Sequence, residues 1–173
     1  MTFKQIYSRL FYSVFFFSIL IGESMRVDLI TTNDLHGSIA EQNAYFMNPK
    51  YPPLMIGGSG YYRYVKENIN VDKSLILDGG NFFQGHPMSV VDSGKTMIDF
   101  MNNIGYTALV PGIDDFVYGA KNLNNLADSA DFPFLISNIE CHSCDLLSEN
   151  FKKTFVKEID GVKFGFLGIV DAT

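Results

Sequence analysis

Apolar residues in this chain fall into short runs that alternate with helix-spaced stripes. Residues 26–32 (RVDLITT) are rich in β-branched positions and stop at the polar pair Asn33-Asp34, as a strand does. After a loop with Pro52-Pro53, Gly57-Gly58 opens a segment whose apolar residues Tyr61, Val65 and Ile69 recur every four positions, the spacing of one helix face. Residues 74–80 (SLILDGG) form a near-continuous apolar strand that ends at a double glycine. Met97, Ile98, Met101 and Ile104 make a second helical stripe, closed by Gly105, glycine being favoured just past a helix. Residues 108–112 (ALVPG) and 133–138 (PFLISN) read as further strands, with a helix predicted over LNNLADSA between them.

Strand–helix alternation with uninterrupted apolar strands predicts an α/β fold, with right-handed βαβ units around a mostly parallel sheet. The pattern changes near the end, where TFVKEI and VKFGFLGIV flank Asp160-Gly161. Asp-Gly between two strand-like runs predicts a hairpin. No internal repeat or low-complexity linker divides residues 25–173, so one domain is expected there. Its last apolar strand lies just before residue 173, which predicts a longer architecture cut short.

Composition narrows the function. With 173 residues, 47% of them apolar and only two cysteines, the chain is neither a disordered tail nor a disulfide-dense miniprotein. Its net charge of −6 offers no basic surface for a phosphate backbone, so no nucleic-acid partner is expected. An anionic substrate would then need a bound metal or a few local cations. Residues 1–24 read as a secretory signal: Lys4 and Arg9 precede an apolar block, and Gly22 and Ser24 sit at the −3 and −1 positions of a cleavage site. The block falls short of the roughly 20 residues of a membrane span. A periplasmic or secreted chain with no stable membrane span is expected, an uncleaved anchor being the alternative.

In open parallel sheets, ligands bind beyond the carboxyl ends of the strands. Three strand ends here carry unusual polar sets. TTNDLHG places Asp34 and His36 two apart, which on an extended segment share one face and could converge on one metal ion. DGGNFFQGHP supplies Asn81 and His86 behind two glycines, and VPGIDDFVYG supplies Asp114 and Asp115 behind Gly112. Each set alone is compatible with an ordinary turn, and adjacent acids such as Asp114-Asp115 commonly form a solvated turn or a cap. The aromatics Phe82, Phe83, Tyr61 and Tyr62 read as core or helix-face residues.

Taken together, these sets resemble the motifs of the calcineurin-like metallophosphoesterases, within them the secreted 5'-nucleotidase and 2',3'-cyclic-nucleotide phosphodiesterase branch. The resemblance runs from about residue 27 to about residue 170 and includes TNDLHG, LILDGGNFFQGHP, DFVYG and GVKFGFLGI. It implies the first half of a four-layer α/β/β/α sandwich, whose uncovered sheet surface would call for a missing C-terminal half or a homo-oligomer. It also implies hydrolysis of nucleotide or other phosphate esters by two divalent cations about 3.5–4 Å apart. Asp34 and His36 match the ligands of the first metal.

Other positions depart from that pattern. Asn81 stands where the family has a bridging Asp, and Gly112-Ile113-Asp114-Asp115 stands where it has Gly-Asn-His-Glu, so Asp114 replaces the catalytic His. The later histidine motifs of the family have no counterpart in the sequence. A rebuilt site of Asp34, His36, Asn81 and Asp114, with His86 as a further donor, would hold at most one ion (Mn, Zn or similar) in mixed nitrogen and oxygen coordination. The competing expectations are a degenerate, non-catalytic module that binds a ligand or serves a partner in the cell envelope, and a thiosulfohydrolase-like sulfur-oxidation protein.

Cys141 and Cys144 enclose two residues. In an exported chain a tight local disulfide is the simplest expectation, with a redox pair as the alternative. A c-type haem site would need His where Asp145 stands, and a zinc site would need two more ligands.

Overall fold

Five short strands pair in parallel in a computed structural model that describes residues 24–140, 145–146 and 148–171. The expected signal segment up to residue 23 and the Cys141–Cys144 pair lie outside the described residues. The sheet runs in the order β1 (Asp28–Thr32), β4 (Ser74–Asp78), β5 (Ala108–Leu109), β6 (Phe134–Leu135) and β7 (Phe151–Lys152). A minor antiparallel pair, β2 (Gln42–Asn43) with β3 (Leu54–Met55), occupies the loop after β1. The helices are α1 (Gly58–Asn68), α2 (Pro87–Val90), α3 (Lys95–Ile104) and α4 (Gly119–Ser129). The predicted α/β alternation is the observed one.

Burial explains the patterns read from the sequence. Strand β4 lies between two neighbours and buries Ser74, Leu75, Ile76 and Asp78, hence its continuous apolar run. Strand β1, at the sheet edge, alternates: Ile30 packs against the core while Leu29 is exposed. The helical stripes Val65, Met97, Ile98, Met101, Ile104, Leu123 and Leu126 join Ile76, Leu109 and Phe134 of the sheet in one core cluster. Phe82 and Phe83 are fully buried in that cluster, with Phe82 edge-on to Phe134 at 6.1 Å between centroids. Full burial of an aromatic ring is the largest single apolar contribution a core side chain makes.

The hairpin forms as predicted, from β8 (Thr154–Ile159) and β9 (Val162–Leu167). Asp160 and Gly161 have φ of 48° and 81°, both positive, as a two-residue primed turn requires. The pair is separate from the parallel sheet in hydrogen bonding, yet Lys157 fastens it there by donating to the Ser74 carbonyl at 2.9 Å. Strand β7 has no counterpart in the sequence reading. Two residues are too few to show a period, and Phe151 and Lys152 follow a polar stretch.

A candidate site at the strand ends

The loops after β1 and β4 continue side by side beyond the strands. Asp34 N–H donates to the Gly80 carbonyl at 3.0 Å, His36 N–H to that of Asn81 at 2.9 Å, and Gly37 N–H to that of Phe82 at 2.9 Å. Within this ladder Asp34, His36 and Asn81 have φ of 52°, 47° and 53°. That is the left-handed region, which costs most side chains energy and which Asn, Asp and His enter most readily. The sequence reading expected Asp34 and His36 to share a face by strand alternation. They converge instead because the backbone turns left-handed at both.

Two buried carboxylates hold this frame. Asp115 has no exposed surface and accepts three main-chain N–H bonds, from Asn81 at 2.8 Å, Phe82 at 3.0 Å and Gly112 at 2.9 Å. Asp78 accepts the Thr32 hydroxyl at 2.5 Å and the Gly80 N–H at 2.8 Å, while the Tyr106 hydroxyl donates to Thr32 Oγ1 at 2.8 Å. Asp115 ties the second and third strand ends together, and sequence reasoning missed it. Read locally, Asp114-Asp115 looks like a solvated pair; the one hint is its place three residues after a strand-end glycine, where an acid can cap a turn.

Burial pushes Asp78 up to about 6 and Asp115 up to about 7. Between about pH 4 and these values the folded chain therefore binds protons that the unfolded chain has already released. Their contribution to stability is complete below about pH 4 and is lost as pH rises through about 6 to 7. Urea midpoints measured between pH 5 and pH 8 are expected to fall; a rise across that window would contradict the assignment.

At the mouth of the frame, His36 Nδ1 donates to the Gln84 carbonyl at 2.7 Å. This leaves Nε2 without a proton in the neutral ring, 3.8 Å from Asp34 Oδ1. Both oxygens of Asp34 are already engaged: Oδ1 accepts from Asn81 Nδ2 at 2.9 Å and Oδ2 from Asn33 Nδ2 at 2.5 Å. Asn81 Oδ1 in turn accepts the Asp114 N–H at 3.1 Å. Asp114 thus joins through its main chain, and its residue is exposed. His86 caps α2, its Nδ1 accepting the Met88 N–H at 3.2 Å, which places the ring proton on Nε2. Ile113 is half-exposed and offers no donor.

Among the described residues no three His, Cys, Asp or Glu side chains converge as an ion-holding group. The donor set does not fit a two-ion centre. One carboxylate and one imidazole face each other, and the residue between the loops is a neutral amide that presents N–H, not oxygen, to the carboxylate.

No protein-family model matches the chain. It is 28% identical over 155 residues to the 5'-nucleotidase of Mus musculus, covering 85% of this chain and 26% of that protein. The fold of the 5'-nucleotidase precursor from Thermus thermophilus superposes with a TM-score of 0.62 at 22% identity, covering 82% of this chain and 28% of that one. The calcineurin-like phosphoesterase YfkN from Bacillus subtilis superposes with a TM-score of 0.59 at 22% identity, covering 82% and 47%. The chain spans about a quarter of the length of the mouse protein it matches. Similarity in sequence and similarity in fold converge: the chain is similar in sequence to part of the 5'-nucleotidases and shares the fold of the solved 5'-nucleotidase.

Proposed function

We propose that the chain is an exported phosphoester-hydrolase-type domain of the 5'-nucleotidase branch. In this reading its strand-end site meets a nucleotide or other phosphate ester, and its own residues hold at most one divalent ion. The observation that carries the reading is the convergence of Asp34 Oδ1 and His36 Nε2 at the carboxyl edge of the parallel sheet, where ligands bind in such sheets. The curated relatives favour phosphate esters over thiosulfate chemistry, since they include 5'-nucleotidases and a trifunctional nucleotide phosphoesterase. No described helix is long and apolar enough to cross a membrane.

Chemistry limits what the chain does unaided. A two-ion mechanism needs a shared anionic ligand and a group that assists the leaving oxygen. Asn81 is neutral and Asp114 stands at the position of the second, so substrate binding without appreciable turnover is the expected behaviour of these residues alone. The test is elemental analysis of the purified chain after dialysis against Mn or Zn, beside phosphate release from AMP and p-nitrophenyl phosphate. An Asp34→Ala, His36→Ala double variant serves as control. We expect no more than one ion per chain and phosphate release at the level of the control. Two retained ions with turnover lost in the double variant would overturn the single-ion limit.

A further inference from the structure

We propose that Asn81 holds the strand-end site in a cation-free state, its side-chain amide standing in for an ion, so that the single change Asn81→Asp opens a divalent-cation site. An ion seated between Asp34 and His36 Nε2 would share Asp34 Oδ1 with the Asn81 Nδ2 group, which already donates to it at 2.9 Å. The second Asp34 oxygen is taken by Asn33 Nδ2. Two neutral N–H groups therefore already draw on the carboxylate charge that a cation would need.

The Asn81 amide is held in this orientation. The Asn81 oxygen accepts the Asp114 N–H, so turning the amide over to aim oxygen at an ion would set its NH2 group against that N–H. The residue cannot withdraw either, because its own N–H is fixed to buried Asp115 and its carbonyl receives His36 N–H. Its φ of 53° suits Asn and Asp alike. In Asn81→Asp one oxygen keeps the Asp114 N–H, and the other lies against Asp34 Oδ1 where the amide nitrogen was. Two carboxylate oxygens at that separation repel unless a cation joins them, and cation affinity rises with the number of anionic ligands. The imidazole Nε2 supplies a nitrogen ligand beside the pair, its ring held by Gln84.

This inference rests on the phosphoesterase reading above only for the class of ion, a hydrolase-type divalent cation, and its test uses no turnover. Mn binding is followed by loss of the free-ion electron paramagnetic resonance signal, with thermal unfolding recorded with and without Mn. In the wild-type chain we expect weak binding and an unfolding temperature that Mn leaves unchanged. Asn81→Asp is expected to melt below wild type without metal, to gain at least about tenfold in Mn affinity, and to recover its melting temperature with Mn. Adding Asp34→Ala should remove the gain.

Wild type binding Mn as tightly as Asn81→Asp, with Asn81→Ala weakening it, would make Asn81 an oxygen ligand and overturn the proposal. A folded Asn81→Asp with no gain would overturn it too. If that variant does not fold, the wild-type chain decides: the Asn81 side-chain 15N resonance should be unshifted by added Zn, and a shift would refute the proposal. Failure of the wild-type chain to bind AMP would count against the phosphoesterase reading and leave this result standing.

Discussion

Asp115→Ala is expected to lower the unfolding free energy by about 3–5 kcal/mol, among the largest losses available to a single site in the chain. The carboxylate is fully buried and receives the N–H groups of Asn81, Phe82 and Gly112. Truncation orphans all three donors, each costing about 1–3 kcal/mol when nothing replaces the acceptor; some of that sum is recovered as the loops relax and water enters. Asp115→Asn should do little better, because its NH2 group faces N–H donors on one side. Exposed Asp114 is the internal control, and Asp114→Ala should change stability by no more than about 0.5 kcal/mol. Urea unfolding followed by circular dichroism measures both. Equal effects at 114 and 115 would mean that the loops are held by something other than this carboxylate.

Gly80→Ala should be the second severe change, and Gly161→Ala separates its two causes. Both glycines have strongly positive φ, 100° and 81°, so an alanine at either pays the left-handed penalty of about 1–2 kcal/mol. At Gly161, in the hairpin turn, a Cβ meets open space. At Gly80 it would run into the main chain of the next strand end, at Gly112 N and the Val110 carbonyl. Backbone cannot step aside as a flexible side chain can, so Gly80→Ala should exceed Gly161→Ala by about 2 kcal/mol or more. Comparable losses at the two positions would show that the β4 and β5 ends are not as closely apposed as described.

How far the sequence was legible depends on the range over which each feature is encoded. The buried run of β4, the stripes of α1 and α3 and the Asp160-Gly161 turn are periodic or local, and each was read correctly from neighbouring residues. Phe82 and Phe83 were expected in the core and are there. Strand β7 escaped because two residues carry no period. The role of Asp115 escaped because two of its three donors, Asn81 and Phe82, come from the loop after β4, which a local reading does not connect to an acidic pair. Asp34, His36 and Asn81 were picked out by residue type and do meet, but through left-handed turns that residue type alone does not reveal. Asp114 enters by its backbone and His86 as a helix cap, uses that a list of metal-binding side chains cannot distinguish from ligation.

The ladder from Asp34 to Gly37 against Gly80 to Phe82 is made of main-chain atoms, and its anchors, Asp78 and Asp115, sit beneath it. The exposed side chains at 113 and 114 take no part in this ladder. Selection for foldability and selection for chemistry therefore act on different residues of the same loops. Mutational drift can erase the reactive groups while the chassis stays intact, and an isoleucine at 113 is the kind of replacement such a chassis tolerates. The same separation runs in reverse: chemistry can be written back onto these loops one side chain at a time without redesigning the protein that carries them.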